Sequence, residues 1–273
     1  MSETHYNGIR RSYIPVQPVL KTGQCGVYYR ELLPAPELQE FICCYWELCT
    51  DTILDEPFTY RVVADGCIDI FFELHTPQEN FVMGFCKSYT AFPLGNRFHY
   101  VGVRFFPAMF PLLFGIDASL LSNRYESLEL VLPATAAFIR DRFHADCSPQ
   151  DIQQLLDLHF IEVLHKATPD PDPRFFAALD RILRFPGQTN IEKDLDTGLS
   201  PRQLRRLFNF YTGDSAKTFS QVVRFQYILR AKPSVQSLRQ NKLFFDAGYY
   251  DQAHFIKEFR TFYGVTPGQA FGR

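Results

Sequence analysis

The sequence predicts two domains of different class. The first is an α+β, β-rich N-terminal domain that could close on itself as a barrel. The second is an all-α domain built from two helix-turn-helix units. Three observations carry this reading. The chain has 273 residues, more than one hydrophobic core commonly serves. Apolar runs rich in β-branched and aromatic residues lie in the first half, whereas helical periodicity with capping residues governs the last third. Charge divides the same way. From Arg174 onward there are 16 of the 28 basic residues but 8 of the 30 acidic ones, so the net −2 hides about +8 there and about −10 before it. An acidic half is joined to a basic footprint.

Residues 1 to 26, with Pro15 and Pro18, read as an extended lead-in. Pro36 suits a helix start, and the aromatic residues up to Trp46 pass toward a strand. Tyr60–Ala64 leads to the turn Asp65-Gly66, and Cys67–Leu74 (C-I-D-I-F-F-E-L) has the composition of a buried strand. Phe81–Phe85, Tyr89–Phe92 and His99–Phe106 read as further strands, and Ala108–Phe114 as a short helix ending near Gly115. Residues 1–150 are thus the β-rich, sensor-like domain. Asp151–Lys166 carries Ile152, Leu155, Leu156, Phe160, Val163 and Leu164 as a helical stripe. Such a stripe packs on its own domain or, in the sharper reading, forms a dimer helix. Ala167–Pro173 (A-T-P-D-P-D-P) cannot continue a helix, which makes 151–173 a helix plus linker and 174–273 the second domain.

The second domain is organised around Leu199–Gly213, L-S-P-R-Q-L-R-R-L-F-N-F-Y-T-G. Ser200 is an N-cap, Pro201 fits the first helical position and Gly213 supplies the stop. Leu204, Leu207, Phe208 and Tyr211 share one face; Arg202, Arg205, Arg206 and Asn209 share the other. Arg pairs bidentately with guanine and Asn with adenine, so that outer face suits base reading, although a solvated charged face looks the same. Asn190–Gly198 reads as the helix before it, completing helix, turn, helix. The pattern recurs with Leu243–Gly248 and a helix from Gln252 to Phe262 capped by Asp251. Its inner face is Phe255, Phe259 and Phe262; Gln252, Ile256, Lys257 and Arg260 lie outside, with His254 near the entry. A linking helix Ala216–Lys232 would be about 25 Å long.

S-P-R-Q-L-R-R-L-F with its following T-G, then G-Y-Y-D-Q-A-H-F-I-K-E-F-R and Y-G-V-T-P, resembles the C-terminal domain of the AraC/XylS family of bacterial transcription regulators, over about residues 174 to 270. The resemblance implies two helix-turn-helix units in one monomer reading successive major-groove segments. Double-stranded DNA is then the partner, with Arg202, Arg205, Arg206, Asn209, Gln252, His254, Lys257 and Arg260 as contact residues. The pieces D-G-C-I-D-I-F-F and G-V-R-F-F-P resemble a sensor-like domain of one subset of that family, with Ala64 where a proline is common. Other departures are Lys193-Asp194 for Leu-Ala, Leu243-Phe244 for Ile-Ala, and Ile228 for alanine. Those larger or charged residues should push each supporting helix from its recognition helix.

No phosphate-cradling glycine loop, H-E-x-x-H, G-x-S-x-G or paired C-x-x-C occurs, and the reading is of a protein that is not an enzyme and needs no cofactor or metal. Cys43, Cys44, Cys49 and Cys67 do not match common zinc spacings, and no cysteine precedes His-Arg as in the alkyl-transfer modules fused to some AraC-type domains. Asp65, Asp69 and Arg104 are charges in apolar strands: a buried ion pair, or anchors of a ligand pocket. The pocket reading gives Trp46, Asp65, Cys67, Phe71 and Arg104 as lining. The function expected is a sequence-specific transcription regulator with a ligand-sensing or dimerising N-terminal domain. The alternative is a small-molecule-binding or cysteine-based enzymatic module whose DNA-binding domain has degenerated. A small-molecule effector, a homodimer and RNA polymerase follow as partners, with no membrane. The polar first 20 residues and odd cysteine count point to a reduced, cytoplasmic, nucleoid-associated setting.

Overall fold

The computed structural model describes residues 8–18, 26–186, 197–231 and 247–271. Strands β1 (Val27–Leu32), β2 (Ile42–Thr50), β4 (Ile68–Glu73), β5 (Thr76–Met83), β7 (His99–Phe105) and β8 (Tyr125–Ser127) form one antiparallel sheet in the order β1-β2-β7-β4-β5-β8. A separate antiparallel ribbon pairs β3 (Phe58–Val62) with β6 (Thr90–Gly95). The sheet does not close: β1 and β8 are its two edges, and the ribbon pairs only with itself. The barrel expectation is corrected to an open sheet covered on both faces.

Alternation along the strands creates those faces. Val101, Val103 and Phe105 of β7 join Tyr45, Ile68, Ile70 and Phe72 in the main core, under the helices. The opposite face brings Cys44, Trp46, Leu48, Phe71 and Tyr100 against Tyr60, Phe58, Val62 and Leu94 of the ribbon.

The helix expected at Pro36 is a single 3-10 turn, Pro36–Leu38, ahead of β2. The lead-in holds one helical turn, α1 (Ile9–Ser12), and then runs extended. Helix α2 (Met109–Phe114) ends at Gly115, whose φ of 67° is the left-handed stop that glycine favours. Short α3 (Leu128–Val131) and α4 (Pro133–Arg142) lead to α5 (Pro149–Lys166), which begins with a capping box between Ser148 and Asp151. Ile152, Leu156 and Phe160 of α5 are buried in its own core, and Asp157 accepts from Tyr45 Oη and Ala35 N, each at 2.8 Å. His159 stacks on Phe138 at 4.3 Å, and burial pushes its imidazole down to about 4. Of the stripe, Ile152, Leu156 and Phe160 thus pack on their own domain, while Leu155, Val163 and Leu164 are half-buried and Leu158 is exposed.

The C-terminal part comprises α6 (Pro173–Arg184), α7 (Pro201–Thr212), α8 (Ala216–Ala231), α9 (Gln252–Tyr263) and α10 (Pro267–Phe271). Phe175 of α6 stacks on Tyr211 of α7 at 4.5 Å and meets Phe208 edge-on at 5.0 Å. The supporting helices expected at Asn190–Gly198 and Leu243–Gly248 lie largely outside the described residues, as do Lys193, Asp194 and Phe244. Ile228 is fully buried in the main core, which runs without a break from the sheet into α6, α7, α8 and α9.

Candidate nucleic-acid interface and adjoining cavity

Helix α7 starts as its sequence dictates. Ser200 Oγ accepts from Gln203 N, the Gln203 side chain accepts from Ser200 N, and Pro201 occupies the first turn. Such a cap is worth about 1 kcal/mol. Gly213, at φ 90°, ends the helix. Leu204, Phe208 and Tyr211 are buried, with Leu207 half-buried, while Arg202, Arg205 and Arg206 are exposed and Asn209 is half-exposed.

Helix α9 is built the same way. Asp251 accepts from His254 N at 2.7 Å, Gly264 closes it at φ 93°, and Phe255, Phe259 and Phe262 are buried. Gln252, Ile256, Lys257 and Arg260 are exposed. His254 is exposed too, but its Nε2 lies 3.6 Å from Glu258 one turn on. Among the described residues, no carboxylate pairs with Arg202, Arg205, Arg206, Lys257 or Arg260. Unpaired cations on the outer faces of two capped helices are what phosphate and base edges require.

Three features of this region escaped the sequence reading. Tyr250 is 86 % exposed at the entry to α9. Glu258, on the inner face, takes Arg224 of α8 at 2.7 and 2.8 Å, and Arg224 also donates to Gly248 O and lies 4.0 Å over the Tyr249 ring. This fixes α9 on the linking helix. Gln226, 1 % exposed on α8, donates to Ala64 O (2.7 Å) and Val16 O (3.2 Å) and accepts from Val16 N (2.7 Å).

Between the sheet and the ribbon lies a cavity of about 280 Å³. Trp46, Phe71, Phe81 and Tyr100 form its sheet wall, Tyr60, Phe92 and Leu94 its ribbon wall, and Tyr125 stands beside them. Trp46 faces Gly102 across the β2–β7 register, where an added Cβ would sit 2.1 Å from the indole. Glycine there is the seat of the tryptophan. Trp46 Nε1 donates to Asp69 Oδ2 at 3.1 Å. Arg104, 3 % exposed, donates to both Asp69 oxygens at 3.2 and 2.9 Å, and its Nε lies 3.4 Å from Asp65 Oδ2. Burial pushes the Asp69 carboxyl up to about 6; Arg104 pulls it back and Asp65 adds to the push. Of the five residues expected to line a pocket, Trp46, Phe71 and Arg104 do so; Asp65 and Cys67 do not. Asp69 and Glu79 line it as well.

Burial works against thiolate formation at Cys44, Cys67 and Cys86. A hydrogen bond with Cys43 and burial hold Cys44 well up, burial does the same for Cys67, and burial pushes Cys86 up to about 11. Among the described residues, no group of three His, Cys, Asp or Glu is placed to hold a metal, and no helix is long and apolar enough to cross a membrane.

The ribbon that walls the cavity is also the part that meets the helices. After β3, Ala64 O receives Gln226, Ala64 N donates to Phe262 O, and Gly66 lies against Phe219 of α8. Before β6, Tyr89 N donates to Thr261 O at 3.1 Å, and its ring lies against Gly264. Ser122 Oγ donates to Gly213 O at the end of α7, and Lys87 pairs with Asp214 at 2.6 Å.

Two capped helices with cationic outer faces on one helical scaffold are what the second helices of two helix-turn-helix units would present. Residues 196–273 match a family described as a helix-turn-helix domain, and residues 30–127 match a domain of unknown function (DUF6597). The C-terminal part of the chain thus carries a helix-turn-helix domain. No curated protein matches the chain. Looser likeness in three dimensions extends to ToxT of Vibrio cholerae. An apo ToxT variant from strain SCE256 is 10 % identical, with 92 % of this chain and 99 % of that one covered and a TM-score of 0.45. ToxT from Vibrio cholerae O395 bound to (E)-4-(8-methylnaphthalen-1-yl)but-3-enoic acid is 10 % identical, with 91 % and 98 % covered and a TM-score of 0.40.

Proposed function

We propose that the chain is a sequence-specific DNA-binding transcription regulator whose N-terminal part receives a small molecule in the sheet–ribbon cavity. What supports this is that two capped helices with cationic outer faces share the main core with one face of the sheet, while the other face of the same sheet walls an aromatic cavity. In this reading α7 and α9 enter the major groove, with Arg202, Arg205, Arg206, Asn209, Gln252, Lys257 and Arg260 toward DNA and His254 at the rim. Residues up to 150 form the sensing part, 151–173 its closing helix and linker, and 174–273 the reading part. The ribbon couples them, because the end where Val62 pairs with Thr90 leads into Ala64 and Tyr89, which touch α8 and α9; a ligand that favours one ribbon position then changes DNA affinity by its differential affinity for the two states. The half-exposed side of α5 is the surface on which a homodimer would form, and RNA polymerase is the downstream partner. Protonated, buried thiols favour this over a cysteine-based enzyme.

The test is selection of bound duplexes from a random pool, followed by gel shifts of the selected site at 50 and 200 mM salt. Affinity is expected to fall at least about tenfold between them, because cationic contacts release counterions from the duplex. Absence of any duplex binding at the lower salt would overturn the proposal.

A further inference from the structure

The sheet–ribbon cavity carries an imbalance of charge that selects among ligands. Among the described residues its one cationic lining group is Arg104, whose charge is balanced by carboxylates: Nε and one terminal nitrogen bond both Asp69 oxygens, Nε also faces Asp65, and the other terminal nitrogen lies 4.0 Å from Glu31, beyond hydrogen-bond reach. A carboxylate or phosphate entering the cavity would find that cation already outnumbered by carboxylates. It would meet Asp69 and Glu79 instead. Glu79 is exposed at the cavity wall, and among the described residues no basic side chain pairs with it.

The remaining walls are aromatic. Phe71 stands at the centre, 5.5 Å from Phe81, 6.2 Å from Phe92 and 6.4 Å from Tyr100, and Trp46 is held upright by Asp69 and by the missing side chain at Gly102. Ring faces carry the negative part of the aromatic quadrupole, so a collar of rings with carboxylates at its edge attracts positive charge that is bulky and weakly hydrated. A volume of about 280 Å³ lies at the lower end of the range for small-molecule sites and suits a compact ligand.

We infer that the effector of this cavity is a small organic cation, an ammonium carried on an apolar or aromatic body, with Trp46, Phe71 and Phe92 facing the cation and Glu79 and Asp69 balancing its charge. This deepens the reading of the cavity as a ligand site and rests on it. Neutral aromatic molecules fit the same walls without the electrostatic gain, and anions are disfavoured.

Trp46 is the only tryptophan in the chain and forms part of the wall, so intrinsic fluorescence reports the cavity directly. The full chain at pH 7.5 is titrated with benzyltrimethylammonium, with neutral 2-phenylethanol and with phenylacetate, and each affinity is confirmed by calorimetry. The ammonium is expected to bind at least tenfold more tightly than the alcohol, and phenylacetate more weakly than both. Glu79→Gln, at an exposed position, should weaken the ammonium at least threefold and leave the alcohol unchanged. Asp69→Asn, checked for folding by circular dichroism, should do the same more strongly. Alcohol or phenylacetate binding as tightly as the ammonium would overturn the cation assignment while leaving a ligand cavity in place. No saturable response to any of the three would overturn both. DNA binding, read separately in the gel shift, is untouched by either result.

Discussion

Arg205 lies midway along the outer face of α7, with Arg202 one turn before it and Asn209 one turn after. A helix entering the major groove presents such a middle position to base edges, whereas residues at the rim reach phosphates. Arg205→Ala should therefore lower specific affinity by about 1–3 kcal/mol and relax preference at one or two base pairs. Arg260→Ala, near the far end of α9, should weaken all sequences alike and lower the salt slope by about 1. Both are read by gel shift against selected and scrambled duplexes; an Arg205→Ala protein that holds its selected site like wild type would remove α7 as a reading helix. These positions were legible in the sequence because caps and outer faces are local: Ser200, Gly213 and Asp251 each act within a turn of themselves. Glu258 and Gln226 were not legible. Their partners stand 34 residues away for Arg224 and 162 and 210 away for Ala64 and Val16, and no short-range pattern records such a pairing.

Elements were legible where a pattern is strong. Ile68–Glu73 is dense in β-branched and aromatic residues, and α5 shows its stripe. Strand β1 was missed because it is an edge strand and mostly exposed, and β8 because it is only three residues long. Whether the sheet closed depended on which strands become neighbours, and period-2 alternation is identical in an open sheet and a barrel. The placement of α9 is likewise a matter of tertiary contact. Its one buried carboxylate, Glu258, is matched by Arg224 with side chains only 8 % and 12 % exposed. Removing one partner of such a pair strands the other charge, at a cost of about 3 kcal/mol, whereas replacing both by apolar groups is often close to neutral. Glu258→Gln is thus expected to shift urea unfolding by roughly that amount and to weaken specific DNA binding. Arg224→Met with Glu258→Leu should recover most of the stability. If the double variant is as unstable as the sum of the single ones, the pair does not hold α9 in the way its geometry indicates.

At the scale of the whole molecule, the acidic and basic halves are bound to one another at several points. The lead-in residue Val16, the ribbon ends at Ala64 and Tyr89, and the Ser122 and Lys87 contacts grip α7, α8 and α9. Gln226 is the most buried polar member of this seam, and all three of its hydrogen bonds cross to the N-terminal part. Gln226→Ala leaves Val16 N–H, Val16 C=O and Ala64 C=O without that partner, and each buried group so stranded costs about 1–3 kcal/mol unless water reaches it. Two probes separate the halves. Trp46 fluorescence reads the sheet–ribbon cavity, while far-ultraviolet circular dichroism reads the helices of both parts, so that loss of α6 to α10 ahead of the cavity appears as an early dichroism step. A shared core predicts coincident urea transitions by both probes in the wild type, the mark of one cooperative unit. In Gln226→Ala the dichroism transition should move to lower urea ahead of the fluorescence transition, because the helical part loses its anchor while the cavity keeps its own walls. Two separated transitions already present in the wild type would show that the halves unfold independently, and the route from cavity to reading helices through Gln226 and Ala64 would then lose its physical basis.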